Sequence, residues 1–289
     1  MLFLLGLQAL NGLVSGMILV MVAIGLSIIF GMLRIINFAH GVFYTLGVYI
    51  SFSVALLSGN FWLGLLVGAV CTGIVGALVE YGLLRPLYGK DPHYQLLLTF
   101  GLALVIQELI KIIWGLEGRT TEAPALLSGT LDLGFTYFSV YRLFLILLTS
   151  ALTCGIWLFL KKTTYGAIIR AGVQDPEMVE SLGINIFRIF TLGYGIGVAL
   201  AGAAGTLMTP LVNIDPLMGE TILVDCFVVV VIGGLGNFRG AVFGGLLVGE
   251  VVSLTSLISP HFSSSVIFAF MAVFLLLRPE GLFGGQGVV

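Results

Sequence analysis

Three histidines, three cysteines and 14 acidic side chains are the whole supply of metal-ligating, nucleophilic and acid–base groups in this 289-residue chain, apart from its hydroxyls. His40, His93 and His261 lie in separate stretches with no ligand spacing joining them, so no metal centre is expected. Cys71, Cys154 and Cys226 each sit in apolar sequence without paired spacing, which suits small core residues better than a disulfide. Ser, His and Asp all occur, but nothing in their spacing suggests a nucleophile and base held by a third group, so no catalytic residue is assigned. The run Gly233 to Gly240, GGLGNFRG, invites comparison with a phosphate-binding loop. It fits neither G-x-x-x-x-G-K-[ST] nor G-x-G-x-x-G, and no strand pattern precedes it, so nucleotide binding is rejected.

The elements that carry these residues are unusual. Apolar residues make up 59% of the chain and charged residues only 9%, against about 25% charged in a soluble domain. So few charges cannot cover a water-exposed surface, and most of this surface must face lipid. The 40 glycines then point to close helix packing. A net charge of −2 gives no reason to expect nucleic acid as a partner. Met1 to Gly6 lacks a basic n-region, makes a poor signal peptide and is expected to remain on the protein.

Apolar segments run over 8–32, 38–58, 61–83, 94–115, 141–160, 189–211, 217–233, 240–258 and 263–277. Most match the roughly 20 residues of a transmembrane helix, and none alternates strictly enough for a barrel strand. An all-α, polytopic bundle of 8–9 spans forming one domain over 1–289 is therefore expected. The doubtful segment is 217–233, which holds Glu220 and Asp225 and suggests a re-entrant or broken helix. With nine crossings and the N-terminus outside, Arg34, Arg85, Lys90, Lys161, Lys162, Arg170, Arg188, Arg239 and Arg278 lie inside, and Arg119 and Arg142 outside. With eight crossings Arg239 and Arg278 move outside. The charge rule prefers nine, and either version leaves 161–188 cytoplasmic. The outer segment 116–140 is a candidate contact for another protein or a plain solvated surface.

Polar residues within the spans have two readings each. Glu80, Glu108, Lys111, Asp225 and Glu250 are costly in lipid and are expected to face the bundle or water. Glu108 and Lys111, three apart on one helix, are expected to pair locally. Asp225 and Glu250 suit either a solute pathway or anchoring of neighbouring helices. His40, in Asn37-Phe38-Ala39-His40-Gly41, either lines a solute path or caps helix backbone at a turn. The glycines 233, 234 and 236 are expected to break a helix and leave backbone groups beside a cavity.

The segment 161–188 carries a fully punctuated short helix. Asp175 suits the N-cap, Pro176 the first turn and Glu177 the positive end of the dipole, and Gly183 suits the left-handed position after the last turn. About seven helical residues, 176–182, place Met178, Val179 and Leu182 on one side. So short a helix is unstable alone and needs a partner for that side, in its own bundle or in another protein.

Four blocks carry a family resemblance: GLSIIFGMLRIINFAHGVFYTLGVY (25–49), YGAIIRAGVQDPEMVESLGINIFRIFTLGYGIGVALAGAAGTL (165–207), VVVVIGGLGNFRGAVFGGLLVGE (228–250) and RPEGLFG (278–284). Together, in order, they resemble the permeases of branched-chain amino acid ABC importers, closest to the LivH-type subunit. The resemblance implies an ABC importer permease fold in a bacterial inner membrane. It implies a second, LivM-like permease, two cytoplasmic ABC ATPase subunits and a periplasmic substrate-binding protein as partners. It also implies that no cofactor is bound directly, that ATP is held by the partner subunits and that this chain is not itself an enzyme. The coupling helix that enters the ATPase is expected around Arg170, Ala171, Asp175, Pro176, Glu177, Met178, Val179, Leu182 and Gly183. The candidate translocation pathway comprises Asn37, His40, Gly41, Asp225, Gly233, Gly234 and Gly236. Branched-chain amino acids are the default solute. Amides or urea, and a stand-alone secondary transporter, are the alternatives.

Overall fold

The computed structural model describes residues 2–132, 134 and 136–284. Met1 of the N-terminal stretch, and Leu133 and Phe135 of the 116–140 segment, lie outside them. Five helices occupy the first part of the chain: α1 (Leu2–Leu33), α2 (His40–Ser58), α3 (Phe61–Val79), α4 (Pro92–Trp114) and α5 (Val140–Lys162). Two short helices follow, α6 (Thr164–Gln174) and α7 (Pro176–Ser181). The last four are α8 (Ile186–Met208), α9 (Met218–Gly233), α10 (Phe238–Ile258) and α11 (Ser263–Leu277). A small antiparallel hairpin, β1 (Thr130–Asp132) with β2 (Tyr137–Ser139), lies in the long α4–α5 connection, with Leu131 opposite Phe138.

Helix starts follow from capping side chains. Asn60 accepts from the N–H groups of Trp62 and Leu63 at 2.9 and 3.2 Å, and Asp91 accepts from that of His93 at 3.0 Å. Asn185 and Asn237 cap α8 and α10 in the same way. Past Val79 the chain tightens unevenly, through a π-helical turn (Glu80–Leu84) and a 3₁₀ turn (Arg85–Leu87) that contains Pro86.

Among the described residues, eight helices are long and apolar enough to cross a membrane, counting α3 with its extension to Leu87 and α11 with the turn before it. The central α1 is the most enclosed of them and α11 the least. Small residues set the packing, as lipid demands. A Cβ on Gly16 would lie 3.1 Å from the Gly245 carbonyl of α10, and one on Gly73 would lie 3.0 Å from the Gly195 carbonyl of α8.

These contacts also fix direction. Gly12 faces Glu250 and Gly236 faces Gly31, so α10 runs antiparallel to α1. Gly193 faces Met32 and Ile28, while the Tyr141 hydroxyl near the start of α5 donates to Leu207 O at 2.7 Å and Arg142 bonds Asn11. Hence α8 also runs antiparallel to α1. Because α8 and α10 point the same way, residues 209–237 must carry the chain back between them. The doubtful segment therefore makes a ninth passage. Its helix, 16 residues long, spans only about 24 Å at 1.5 Å per residue, less than the roughly 30 Å hydrocarbon core. The turns on either side supply the remainder.

Candidate functional site

The first candidate region starts where α1 ends. Arg34 takes the left-handed conformation at φ 55° and its N–H closes on Phe30 O at 2.7 Å, which stops the helix. The chain then turns back into the bundle. His40 Nε2 lies 3.0 Å from Val22 O, and that contact makes Nε2–H the donor to a carbonyl in mid-α1. From Val22 to Leu33 is about 16 Å along the helix, so α2 begins near the middle of the bundle and not at its edge. Asn37 holds this turn: its Oδ1 accepts from Ala39 N at 3.1 Å, and its Nδ2 donates to the Tyr194 hydroxyl at 2.9 Å. Both Asn37 and His40 are fully buried.

The start of α9 packs on this turn. A Cβ on Gly41 would collide with the Gly219 carbonyl and lie 2.7 Å from Leu223 Cβ. Beside the contact is a cavity of about 120 Å³, lined among others by Phe38, Val42, Thr45, Phe100, Gln107 and Glu220. Phe38 meets Phe100 edge-on at 6.2 Å, and Gln107 Nε2 donates to Glu220 Oε1 at 2.7 Å. One wall is thus apolar and aromatic, and one end carries a carboxylate beside an amide.

The pathway residues suggested by sequence do not converge. Asn37, His40 and Gly41 form the turn behind this cavity. Asp225 is half-buried and five residues past Glu220, on another face of α9, with no side-chain hydrogen bond among the described residues. Gly233, Gly234 and Gly236 lie at the far end of α9. They do break the chain there, with φ 101° at Gly234 and 76° at Gly236, values glycine tolerates. Part of the backbone beside them is taken up from within the chain, however. Leu282 N donates to Ile232 O at 2.8 Å and Phe283 N to Gly233 O at 3.2 Å, so the chain's own RPEGLFG segment occupies the break. Glu108 and Lys111 pair at 2.7 Å, and the Glu250 side chain lies against Gly12 of α1.

The second region is the α5–α8 connection. The Thr163 hydroxyl accepts from Gly166 N at 3.0 Å and opens α6, and Arg34 Nη2 reaches Val173 O near its end at 3.4 Å. Asp175 then caps α7 through Met178 N at 2.9 Å, with Pro176 in the first turn and Gly183 at φ 79° after it. The apolar side of α7 is divided. Val179 is buried against the rest of the chain, whereas Met178 and Leu182, four apart, are 63% and 71% exposed. Asp175, Pro176, Glu177 and Gly183 are exposed too, as is Ala171 on α6, and Arg170 is half-buried.

A third group lies just beyond the connection; sequence singles out only Glu80 in it, because the partner Thr191 comes 111 residues later. Glu80 is fully buried. It accepts from the Tyr88 hydroxyl at 2.6 Å and from Thr191, and faces Arg85 Nη2 at 3.5 Å. Arg85 also donates to Phe187 O at 3.2 Å and lies 4.6 Å over the Tyr81 ring. Burial, with the Glu80 carboxylate beside it, pushes the Tyr88 phenol well above its ordinary range, so it remains an O–H donor.

Known proteins match this chain along most of its length. The family model described as "Branched-chain amino acid transport system / permease component" matches residues 8–276. The chain is 30% identical to the high-affinity branched-chain amino acid transport system permease protein LivH of Escherichia coli, covering 96% of this chain and 94% of that one. It is 25% identical to the corresponding permease protein LivM of Salmonella typhimurium, over 92% of this chain and 68% of that one. Among solved structures, PsaBC from Streptococcus pneumoniae in complex with Fab aligns with a TM-score of 0.50 at 14% identity, over 92% of this chain and 89% of that one, a likeness of fold alone. With the family model covering nearly the whole bundle, the chain belongs to the permease components of branched-chain amino acid transport systems.

Proposed function

We propose that this chain is the LivH-type permease of an ATP-driven importer, carrying leucine, isoleucine, valine or a related neutral amino acid across a bacterial inner membrane by alternating access. It works beside a second, LivM-like permease, with two ABC ATPase subunits on the α6–α7 side and a periplasmic binding protein on the other. ATP is bound and hydrolysed on the partners, and this chain holds no cofactor. The end of α1 at Leu33 faces the cytoplasm, which puts nine of the named basic residues inside and two outside.

The observation that carries the proposal is the outward face of α7. A helix of six residues cannot hold itself together. Its cap and Val179 fix it on the bundle, yet Met178 and Leu182 remain open to an ATPase groove. At the other end of the machinery, the cavity between α2, α4 and α9 suits a neutral amino acid. Glu220 and Gln107 can hold the ammonium group while Phe38, Val42 and Phe100 face an apolar side chain.

The test is gentle extraction of the tagged chain, mass spectrometry of what accompanies it, and leucine uptake by liposomes containing the recovered complex. A P-loop ATPase, a second permease and ATP-dependent uptake are expected. Repeated recovery of the chain alone, with uptake driven by an ion gradient instead, contradicts the proposal.

A further inference from the structure

A groove of about 690 Å³ runs between α3 and α8 on the outer surface of the bundle. Its floor is made of small residues, Gly73 and Ala77 from α3 with Gly195 and Ala199 from α8, and the exposed side chains of Ile74 and Leu192 form its banks. Two arginines, Arg85 and Arg188, also line it, together with Asn185 and Thr191 of the start of α8 and its cap. The groove end at the start of α8 lies beside α7, on the side of the membrane where the basic residues collect. From Arg188 to Ala199 the groove follows α8 for about 16 Å, close to half of the roughly 30 Å hydrocarbon core. The cationic end therefore sits at headgroup level, and the apolar floor extends through one leaflet.

We infer that this groove holds one anionic phospholipid of the leaflet on the α6–α7 side, with its phosphate at Arg85 and Arg188 and an acyl chain over Gly73, Ala77, Gly195 and Ala199. Several details of the lining support a lipid. The exposed Arg188 guanidinium has no side-chain partner among the described residues, and Arg85, held by Glu80 and Phe187 O, adds a second cation to the lining. The Tyr81 ring, stacked by Arg85, is exposed at the level where amphipathic rings collect. Basic pockets between transmembrane helices at such a surface recognise acidic headgroups, and a stripe of small residues leaves room for a chain. A helix from a second protein would bring no negative charge to this end of the groove, where Glu80 offsets Arg85 and the Arg188 charge is left over. The lipid head would touch the first turn of α8, just after α7, so its presence stiffens the link between that helix and the bundle.

The intact chain, extracted with its co-purifying partners, is to be passed through vesicles of phosphatidylcholine doped with a minor fraction of phosphatidylglycerol and examined by native mass spectrometry. One phosphatidylglycerol per chain is expected to remain bound, resisting excess inorganic phosphate. Arg188→Gln lowers that retention about fivefold, the worth of one cation near a membrane surface. Ala77→Leu fills the floor and lowers it without changing charge, whereas Lys162→Gln, a cation on the same side but off the groove, leaves it unchanged. The inference is overturned by equal retention of phosphatidylcholine, by displacement with free phosphate, by retention unaffected in both groove variants, or by crosslinking of Leu192→Cys to a protein partner.

Discussion

Replacing Gly41 by alanine tests whether the turn between α1 and α2 is locked to α9. The added Cβ would meet the Gly219 carbonyl head-on, and it would lie 2.7 Å from Leu223 Cβ and 3.0 Å from Gly219 C. Ordinary contact requires about 3.4 Å or more, so α2 and α9 must separate by roughly 1 Å. Overpacking of this kind costs about 1–3 kcal/mol, and the upper half applies because the obstruction is backbone, which cannot rotate away. The separation also opens the cavity between Gln107 and Glu220. Unfolding of such a protein in detergent is read best as a rate, so the assay is the half-life of monodisperse protein at fixed temperature, together with the KM for solute in liposomes. Gly41→Ala is expected to shorten the half-life at least severalfold and to raise KM. The comparison is Gly101→Ala in α4, where an added Cβ meets nothing within 4 Å and helix propensity gains up to about 1 kcal/mol. If the two variants behave alike, the packing argument is wrong.

Two further outcomes follow from named contacts. Glu80→Ala removes a buried carboxylate and leaves Tyr88, Thr191 and Arg85 without their common acceptor. Breaking such a cluster costs about 3–5 kcal/mol, and the part-exposed arginine places this one near the lower end; size-exclusion yield should fall sharply, and a wild-type yield would show that the cluster carries no stability. Glu220→Gln keeps the size of the side chain but removes its charge beside Gln107. It is expected to raise the KM for a neutral amino acid with little change in protein level, while Glu108→Gln on the outer surface of α4 leaves KM alone; identical effects of the two would remove Glu220 from the solute site.

Much of the bundle is legible in hydropathy, because lipid imposes a length and an apolar surface on every span. The segments 61–83, 141–160 and 263–277 reappear as helices with ends shifted by a few residues. Local punctuation is equally readable. Asp175, Pro176 and Gly183 are found in the positions that capping physics assigns them. What hydropathy cannot supply is register between distant helices. The passage of 209–237 back through the bundle follows from pairs such as Gly12 with Glu250 and Gly193 with Met32, which no local pattern announces. The cavity depends on Gln107 meeting Glu220, 113 residues away. Gln107 stands beside the charged Glu108 and Lys111, whose local pairing is the conspicuous feature of this stretch, so it carries no signal of its own. Helix α6 is short and lies among charged residues, so hydropathy gives it no signal of its own; Gly172 lets it pack against Ile186. The glycine break at 233–236 is real, but a segment some 50 residues later takes up the carbonyls of Ile232 and Gly233 beside it, a pairing that no local pattern announces. Likewise, periodicity grouped Val179 with Met178 and Leu182, and only packing distinguishes the anchor from the two that remain exposed.

The central claim is that motion from an ATPase enters this chain through the exposed side of α7. The most direct measurement is ATP-driven solute uptake by liposomes containing the complex in which Met178 and Leu182 are both changed to aspartate. Because both side chains are more than 60% exposed, the variant should insert and fold normally. The account predicts that the ATPase is lost from the complex, or hydrolyses ATP without transport, and that uptake falls to background. Uptake at the wild-type rate by the folded variant would contradict it.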